Sequence, residues 1–272
     1  MYPRTRPFLA SVALSAALLV GCGTDKPIKT GTSTPPVATI PPGETPAGDV
    51  VIRLAYEGGF VPMGYSFTAQ PTLTVLADGT AYTNGVHTEI FPGPLVRPMM
   101  VGRIEPSVLQ KLLADAKTKK LNRTVVYKGD DRIADAANTV VTVMIDGVTY
   151  THSAYALNLG DDQAQDGDRT ALAEFEKSLQ AVVPTDSKAV TTAQYAVLAV
   201  DASRVGPVEP AQPSKAWPAD AGVTLAGEKP CLLVDAATLA PVLADANQNT
   251  RFIENGVEYA LFVRQAIPGN GC

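Results

Sequence analysis

The distribution of apolar and polar residues divides the chain into three parts. A short basic head, Arg4 and Arg6, precedes an almost unbroken run of apolar and small residues from Phe8 to Val20. Residues 23–48 contain six prolines and almost no large apolar side chains. From about Asp49 to Cys272, apolar and polar residues alternate. This pattern predicts a leader, a tether without a core of its own, and a globular body.

The leader and the tether each have a composition that predicts their state. The apolar run of 13 residues would form a helix of roughly 20 Å, whereas the hydrocarbon core of a bilayer is about 30 Å thick. We therefore expect residues 1–21 to be a removable signal peptide rather than a transmembrane anchor. Residues 22–48 cannot bury enough apolar surface to offset the entropy of ordering, which predicts a disordered or polyproline-like tether.

Two stretches of the body predict β-hairpins. The segments LTVLADGTAYT (73–83) and VTVMIDGVTYT (141–151) agree at six of eleven positions. Each has β-branched and aromatic residues around Asp78-Gly79 or Asp146-Gly147, a dipeptide that accepts the positive φ of a type I′ turn. Hairpin chemistry alone could select these residues, but a predicted helix follows each hairpin, which favours a structural repeat.

The two predicted helices each have one apolar face. The segment EPSVLQKLLADAKTKKL (105–121) has Pro106 in its first turn. In DRTALAEFEKSLQAVV (168–183), Thr170 can cap the helix, and Leu172, Phe175 and Leu179 share a stripe. The sequence therefore predicts an α+β fold, with an antiparallel sheet built from repeated hairpin-helix units and the helices on one face of the sheet.

The last quarter of the chain predicts a separate, small α+β unit. The segment CLLVDAATLAPVLADANQNT (231–250) reads as a strand and then a helix that should begin near Thr238, so that Pro241 falls in its first turn. A third hairpin then turns at Asn255-Gly256. We expect a hairpin-helix repeat domain at 49–184 and a C-terminal unit at 185–272.

Cys22 stands directly behind the leader, and the residues that precede it form a recognisable pattern. Leu19-Val20-Gly21-Cys22 resembles the lipobox of bacterial lipoproteins. The resemblance implies that the Cys22 sulfur carries a diacylglyceryl group and that Cys22 is the mature N-terminus. Several acyl chains anchor durably, because each buried methylene contributes about 0.8 kcal/mol. We expect a lipid anchor on the outer, extracytoplasmic face of the cell membrane; the alternative is a plain signal peptide with a coincidental cysteine.

The charge of the body argues against nucleic acid as a partner. Loss of Arg4 and Arg6 with the leader takes the formal charge from −5 to −7, which would also be repelled by anionic headgroups. The one basic cluster, Lys117, Lys119, Lys120 and Arg123, lies at the end of a predicted helix, where cations complement the helix dipole. Membrane lipid bound through the acylated cysteine is the expected partner, with another envelope protein as a further candidate.

The remaining cysteines, Cys231 and Cys272, bracket the C-terminal unit. Export to an oxidising compartment leaves these two thiols as natural partners once Cys22 is lipidated. A bridge would close a loop of roughly 40 residues and stabilise the fold by about 3–4 kcal/mol on a chain-entropy argument. The alternative, a reactive or metal-binding thiol pair, lacks CxxC spacing and neighbouring histidines.

Catalytic chemistry has few candidates in this sequence. His87 and His152 are the only histidines, there is no G-x-S-x-G motif, and Ser153 would point to the opposite face of a strand from His152. An EF-hand alignment that starts at Asp162 places Ala173 where the bidentate Glu should be. We therefore predict no catalytic residue, no metal and no cofactor.

The segment FPGPLVRPMM (91–100) is unusual for a surface loop, because it mixes large apolar side chains with three prolines. It could pack beneath the sheet as core, or it could present an apolar patch that includes Met99 and Met100 to a partner.

Over most of its length the chain is similar to uncharacterised lipoproteins of high-GC Gram-positive bacteria. The shared features are the lipobox, the proline-rich tether, Gly58-Gly59-Phe60, the Asp78-Gly79 hairpin, and a C-terminal unit capped by a disulfide. The resemblance implies no activity. We expect a non-enzymatic binding or scaffold module of the cell envelope; the alternatives are an envelope hydrolase that acts on peptide, ester or glycan, and an enzyme inhibitor.

Overall fold

A seven-stranded antiparallel sheet occupies the first part of the body. The computed structural model describes residues 48–87, 90–129, 132–159, 166–227 and 231–272. The strands of this sheet are β1 (Val50–Glu57), β2 (Leu73–Leu76), β3 (Thr80–Asn84), β4 (Met99–Arg103), β5 (Asn138–Ile145), β6 (Val148–Tyr155) and β7 (Thr185–Ala189). Their order across the sheet is β6-β5-β1-β2-β3-β4-β7.

The described residues that follow β7 contain a five-stranded sheet. Its strands are β8 (Gln194–Asp201), β9 (Lys215–Ala216), β10 (Leu232–Asp235), β11 (Arg251–Glu254) and β12 (Val257–Gln265), in the order β10-β8-β12-β11-β9. Only β9 and β11 pair in parallel among these described strands. The fold is therefore a mixed α+β fold with two largely antiparallel sheets, as the sequence predicts at the level of class.

Five helices connect these strands in the described ranges. They are α1 (Tyr65–Thr68), α2 (Pro106–Thr118), α3 (Gly167–Gln180), α4 (Ala202–Val205) and α5 (Ala236–Leu243). Helix α2 begins at Pro106 as predicted. Helix α3 is capped by the Asp166 carboxylate, which accepts from the backbone N–H groups of Asp168 and Arg169, and not by Thr170. Helix α5 begins at Ala236, two residues before the predicted start, so Pro241 lies inside it.

The predicted hairpin turns form, but the first differs in geometry from the other two. Asp146 and Gly147 both have positive φ, and so do Asn255 and Gly256, as a type I′ turn requires. At the first turn only Gly79 has positive φ, and its N–H donates to Leu76 O at 3.0 Å. The Asp78 carboxylate accepts from Thr80 N instead, and this local hydrogen bond favours a three-residue loop.

The structure does not confirm repeated hairpin-helix units. The β2–β3 hairpin lies in the middle of its sheet and is followed by strand β4, whereas the β5–β6 hairpin lies at the edge and leads to α3. Strand β1 separates the two hairpins in the sheet. The matching sequences thus reflect similar strand and turn chemistry in different structural positions.

Each face of the seven-stranded sheet buries a different set of side chains. Helices α2 and α3 contribute Leu109, Leu112, Leu172, Phe175 and Leu179 to a core shared with the inner faces of the central strands. Alternate residues of β2 and β3 point the other way. There, Leu76 and Tyr82 pack with Met99 and with Ile267 from the end of the chain.

The two sheets lie in one compact unit, and polar contacts join them directly. The Gln265 side chain on β12 accepts from Met99 N at 3.1 Å and donates to Val190 O at 2.9 Å. The Arg264 guanidinium, also on β12, donates to Phe67 O at 2.9 Å and stacks on the Phe67 ring at 4.4 Å. Strand β12 thus contributes direct contacts to strand β4 and to helix α1.

A disulfide joins Cys231 to Cys272, across 41 residues, with a Cα–Cα distance of 5.5 Å. This confirms the predicted bridge around the C-terminal sheet. Cys22, the predicted lipidation site, lies outside the described residues. None of the described helices combines the length and hydropathy needed to cross a membrane.

Candidate functional site

A cavity of about 270 Å³ opens where three distant segments meet. We call it the junction cavity. The segments are the residues around α1, the loop between β3 and β4, and strand β12; Gln248, in the loop before β11, also lines the cavity. The side chains that line it are Pro62, Met63, Tyr65, Thr68, Phe91, Pro94, Leu95, Arg97, Gln248, Leu261 and Phe262. Most of the lining is therefore apolar, as in typical small-molecule sites.

Gly64 allows α1 to lie directly against the second sheet. Its φ is +78°, and a Cβ built there would fall 2.1 Å from the ring of Phe262. With any other residue, helix α1 or the Phe262 ring would have to move, and the residue would also carry left-handed backbone strain. This close approach brings Met63 and Tyr65, on either side of Gly64, to the cavity.

The opposite wall is held by the loop between β3 and β4. Gln248 N–H donates to Gly93 O at 3.0 Å, and Pro94 bridges to Asn247. Leu95 then enters the core of the five-stranded sheet. The loop that the sequence marks as unusual is thus partly core and partly cavity wall.

The mouth of the junction cavity is lined by exposed apolar side chains. Phe91 is 71% exposed, and Met63 and Tyr65 are also exposed. We call these three residues the apolar rim. Phe60 and Ile90 flank the same segments and are exposed too, Phe60 at 88%. Large side chains left in water around a cavity are typical of binding surfaces.

Of the two alternatives for this loop, the apolar patch of Met99 with Met100 does not form. Met99 is 1% exposed and packs in the core behind the first sheet, while Met100 is half-buried. In strand β4 alternate side chains face opposite sides, so the two methionines cannot form one surface patch. The exposed apolar surface lies on residues earlier in that loop and around α1.

Four polar side chains line the junction cavity, Tyr65, Thr68, Arg97 and Gln248, and two of them, Arg97 and Gln248, carry nitrogen donors. The Arg97 guanidinium lies over the Tyr65 ring, 5.4 Å from its centroid. Gln248 turns its Oε1 to Gly93 N–H at 3.4 Å, and no described residue accepts from its Nε2. No carboxylate is part of the cavity lining among the described residues. The lining is therefore suited to a ligand that carries acceptors.

A second cavity of about 310 Å³ lies beyond Tyr65 and Arg97, which line both cavities. Its wall is more polar and includes His87 and Tyr56. Burial raises the pKa of Tyr56 to about 12, and the hydrogen bond that its hydroxyl donates to Glu176 at 2.6 Å adds to this shift. Tyr56 is therefore protonated at neutral pH.

The two histidines lie apart and do not form a joint site. His152 is fully buried; its Nδ1 accepts from the Tyr127 hydroxyl at 2.7 Å and its Nε2 donates to Leu121 O at 2.9 Å. Desolvation lowers its pKa, because the charged form loses water. Both ring nitrogens already make hydrogen bonds within the fold, so His152 has a structural role. His87 is exposed beside the second cavity.

Carboxylates line a third, open cavity of about 730 Å³ in the C-terminal sheet. Asp201, Glu209 and Glu258 line it. Asp201 accepts a hydrogen bond from the Ser203 hydroxyl at 2.6 Å, and Glu258 accepts one from the Ser214 hydroxyl. Hydrogen bonding from Ser203 lowers the pKa of Asp201. A general acid needs a raised pKa, so Asp201 does not have the properties expected of the acid of a hydrolase.

The basic cluster at the end of α2 is largely paired. Lys117 contacts Asp146 at 2.7 Å, Lys119 contacts Glu174 at 2.6 Å, and Arg123 pairs with Asp168. Within the described part of the chain, no group of acidic, histidine or cysteine side chains could hold a metal ion. Asp162 of the EF-hand alignment lies outside the described residues.

Sequence reasoning missed the junction cavity and a buried arginine. Arg169, in the first turn of α3, donates to Lys128 O, Tyr155 O and Ala156 O at 3.0–3.1 Å and is 2% exposed. It ties the helix to strand β6 through backbone carbonyls, which leave no signal in the sequence.

No protein-family model matches this chain, and no curated protein or solved structure is significantly similar to it.

Proposed function

We propose that this protein is a lipid-anchored, non-enzymatic binding module of the cell envelope, and that the junction cavity is its binding site. The apolar cavity with its exposed rim is the observation that carries the binding proposal. The lipobox-like sequence that ends at Cys22 supports the anchor on the extracytoplasmic face. The body is acidic, so the acyl chains rather than surface charge would hold it at the membrane.

Membrane anchoring is tested by replacing the acylated residue. Cys22→Ser should move the protein from the membrane fraction to the soluble fraction and should abolish incorporation of a labelled fatty acid. Persistence of the variant in the membrane fraction would show that lipidation of Cys22 is not the anchor. Cys231→Ser serves as the control, because that residue is bridged in the fold and should not affect acylation.

Binding at the junction cavity is tested with a small neutral probe, 3-phenylpropanamide, by ligand-observed NMR. Phe91→Ser removes one ring from the apolar rim. A ring contact worth about 1 kcal/mol corresponds to a roughly fivefold weaker affinity. Phe60→Ser is the matched control, since Phe60 is exposed to a similar extent but does not line the cavity.

The outcomes separate a cavity from a general apolar surface. Weaker binding by Phe91→Ser alone supports the junction cavity as the site. Equal losses for the two variants would indicate non-specific adsorption to exposed aromatic side chains. Absence of detectable binding by both the amide and the corresponding acid, 3-phenylpropionate, would refute the binding proposal.

A further inference from the structure

We infer that the ligand of the junction cavity is a small molecule that joins a ring or short branched chain to a carboxylate, which Arg97 binds. This inference rests on the proposed function, because it assigns a ligand class to the same cavity. It follows from the polar groups at the cavity, from the state of Arg97 and from the cavity's size.

The polar groups of the cavity favour an anion. Arg97 carries only donors, and Gln248 has its acceptor directed at Gly93, which leaves its Nε2 donor available. No acidic side chain among the described residues lines the cavity to compete for the guanidinium. An amine or other cation would meet Arg97 without a compensating carboxylate, so cationic ligands are disfavoured.

Arg97 has no acidic partner among the described residues. Several other cations of the body, Arg53, Lys117, Lys119 and Arg123, each contact a carboxylate within 4.0 Å. Arg97 instead lies over the Tyr65 ring, which orients the guanidinium and leaves its N–H edges available. A planar fork with available edges matches the two oxygens of a carboxylate.

The size of the cavity and the charge of the protein restrict the class further. A volume of about 270 Å³ lies just below the range of roughly 300–1,000 Å³ that drug-sized ligands occupy. One ring with a short chain fits this size better than a long acyl chain or a folded partner. A phosphate would bring nearly two negative charges and three acceptor oxygens toward an acidic body, for which two donor side chains are a poor match.

The test compares a matched pair of probes, 3-phenylpropionate and 3-phenylpropanamide, which differ in charge but hardly in shape. The acid should bind roughly tenfold to hundredfold more tightly, the usual effect of hydrogen bonds to a charged group. Arg97→Gln should remove this preference while the amide still binds. Arg103→Gln is the control for net charge, because Arg103 is exposed, donates to Asp78 O and does not line the cavity.

A second variant keeps the test decisive if Arg97→Gln does not fold. Gln248→Glu retains the acceptor that faces Gly93 and replaces the available donor with a negative group. It should reject the acid and retain the amide. Thermal unfolding of each variant verifies that the fold is intact.

Three results would overturn the inference. Equal affinity for the acid and the amide would show that the ligand does not need a carboxylate, but it would not contradict the proposed binding site. Failure of both probes would refute the proposed function itself. A concentration-dependent dimer in sedimentation, lost in Phe91→Ser, would show that a second copy of the chain covers the cavity.

Discussion

Replacement of Gly64 by alanine tests the packing on which the junction cavity depends. The Cβ that Gly64→Ala introduces would fall 2.1 Å from Phe262 Cδ1, far inside van der Waals contact, so helix α1 or the Phe262 ring must move. The backbone at this position also has φ +78°, which costs a non-glycine residue about 1–2 kcal/mol. The substitution therefore combines a steric effect with a backbone effect.

The two effects can be separated with a matched glycine. Gly147 has the same φ of +78°, but a Cβ there would meet nothing within 4 Å. Gly147→Ala should therefore lower the free energy of unfolding by only the backbone contribution, about 1–2 kcal/mol. Overpacking adds about 1–3 kcal/mol, so Gly64→Ala should lower it by about 2–5 kcal/mol in total.

Urea unfolding monitored by circular dichroism measures both variants, and a double-mutant cycle assigns the difference to one contact. In a Phe262→Ala background the ring is absent, so Gly64→Ala should cost about as much as Gly147→Ala. If Gly64→Ala and Gly147→Ala were equally destabilising in the presence of Phe262, helix α1 would not rest on β12 as described.

Two further predictions concern stability. Reduction of the disulfide, or Cys231→Ser with Cys272→Ser, should lower the free energy of unfolding by about 3–4 kcal/mol for a loop of 41 residues, measured by urea unfolding with and without reductant; an unchanged midpoint would contradict this. Burial lowers the pKa of His152, so at mildly acidic pH the unfolded chain binds more protons than the folded one. The free energy of unfolding should therefore be highest above the histidine pKa of the unfolded chain, about 6.5, and should fall as the pH drops below that value. The loss of stability at low pH should be smaller in His152→Gln than in the unmodified protein, and it should be unchanged in His87→Gln. If the free energy of unfolding depended on pH in the same way in all three proteins, this prediction would be wrong.

Local features of the fold could be predicted from the sequence because they depend on neighbouring residues. The Asp146-Gly147 and Asn255-Gly256 turns follow from the tolerance of these residues for positive φ. Helix α2 starts at Pro106, where the missing N–H costs nothing. Even here tertiary and side-chain contacts intervene, since Asp78-Gly79 forms a different turn once the Asp78 carboxylate binds Thr80 N.

The arrangement of the strands could not be predicted, because it depends on residues far apart in the chain. Strand β1 pairs with the distant strand β5, which separates two hairpins that look alike in sequence. Strand β7 returns to the first sheet beside β4, and Ile267 packs behind the same sheet. Hydrophobic periodicity identifies such strands but contains no information on their partners.

The candidate site was only partly visible for the same reason. The loop that contains Phe91 stood out because it combines large apolar residues with prolines, and the segment around Gly64 showed paired glycines next to Phe60. Nothing in either segment indicates that they meet on β12, near the other end of the chain. The signal that could have marked both is the number of large apolar side chains in segments that otherwise read as loops.

The position of the junction cavity couples ligand binding to the packing between the two sheets. A ligand held by Arg97, Gln248 and the apolar rim would contact connecting segments of both sheets. A ligand that binds only the folded chain would stabilise the fold. At a ligand concentration about one hundred times the dissociation constant, this stabilisation is about 2.7 kcal/mol. Gly64→Ala displaces the wall that carries Tyr65, so it should weaken ligand binding as well as lower stability, whereas Gly147→Ala should lower stability and leave affinity unchanged. The ligand affinity of Gly64→Ala and its free energy of unfolding therefore both report on the contact between α1 and β12.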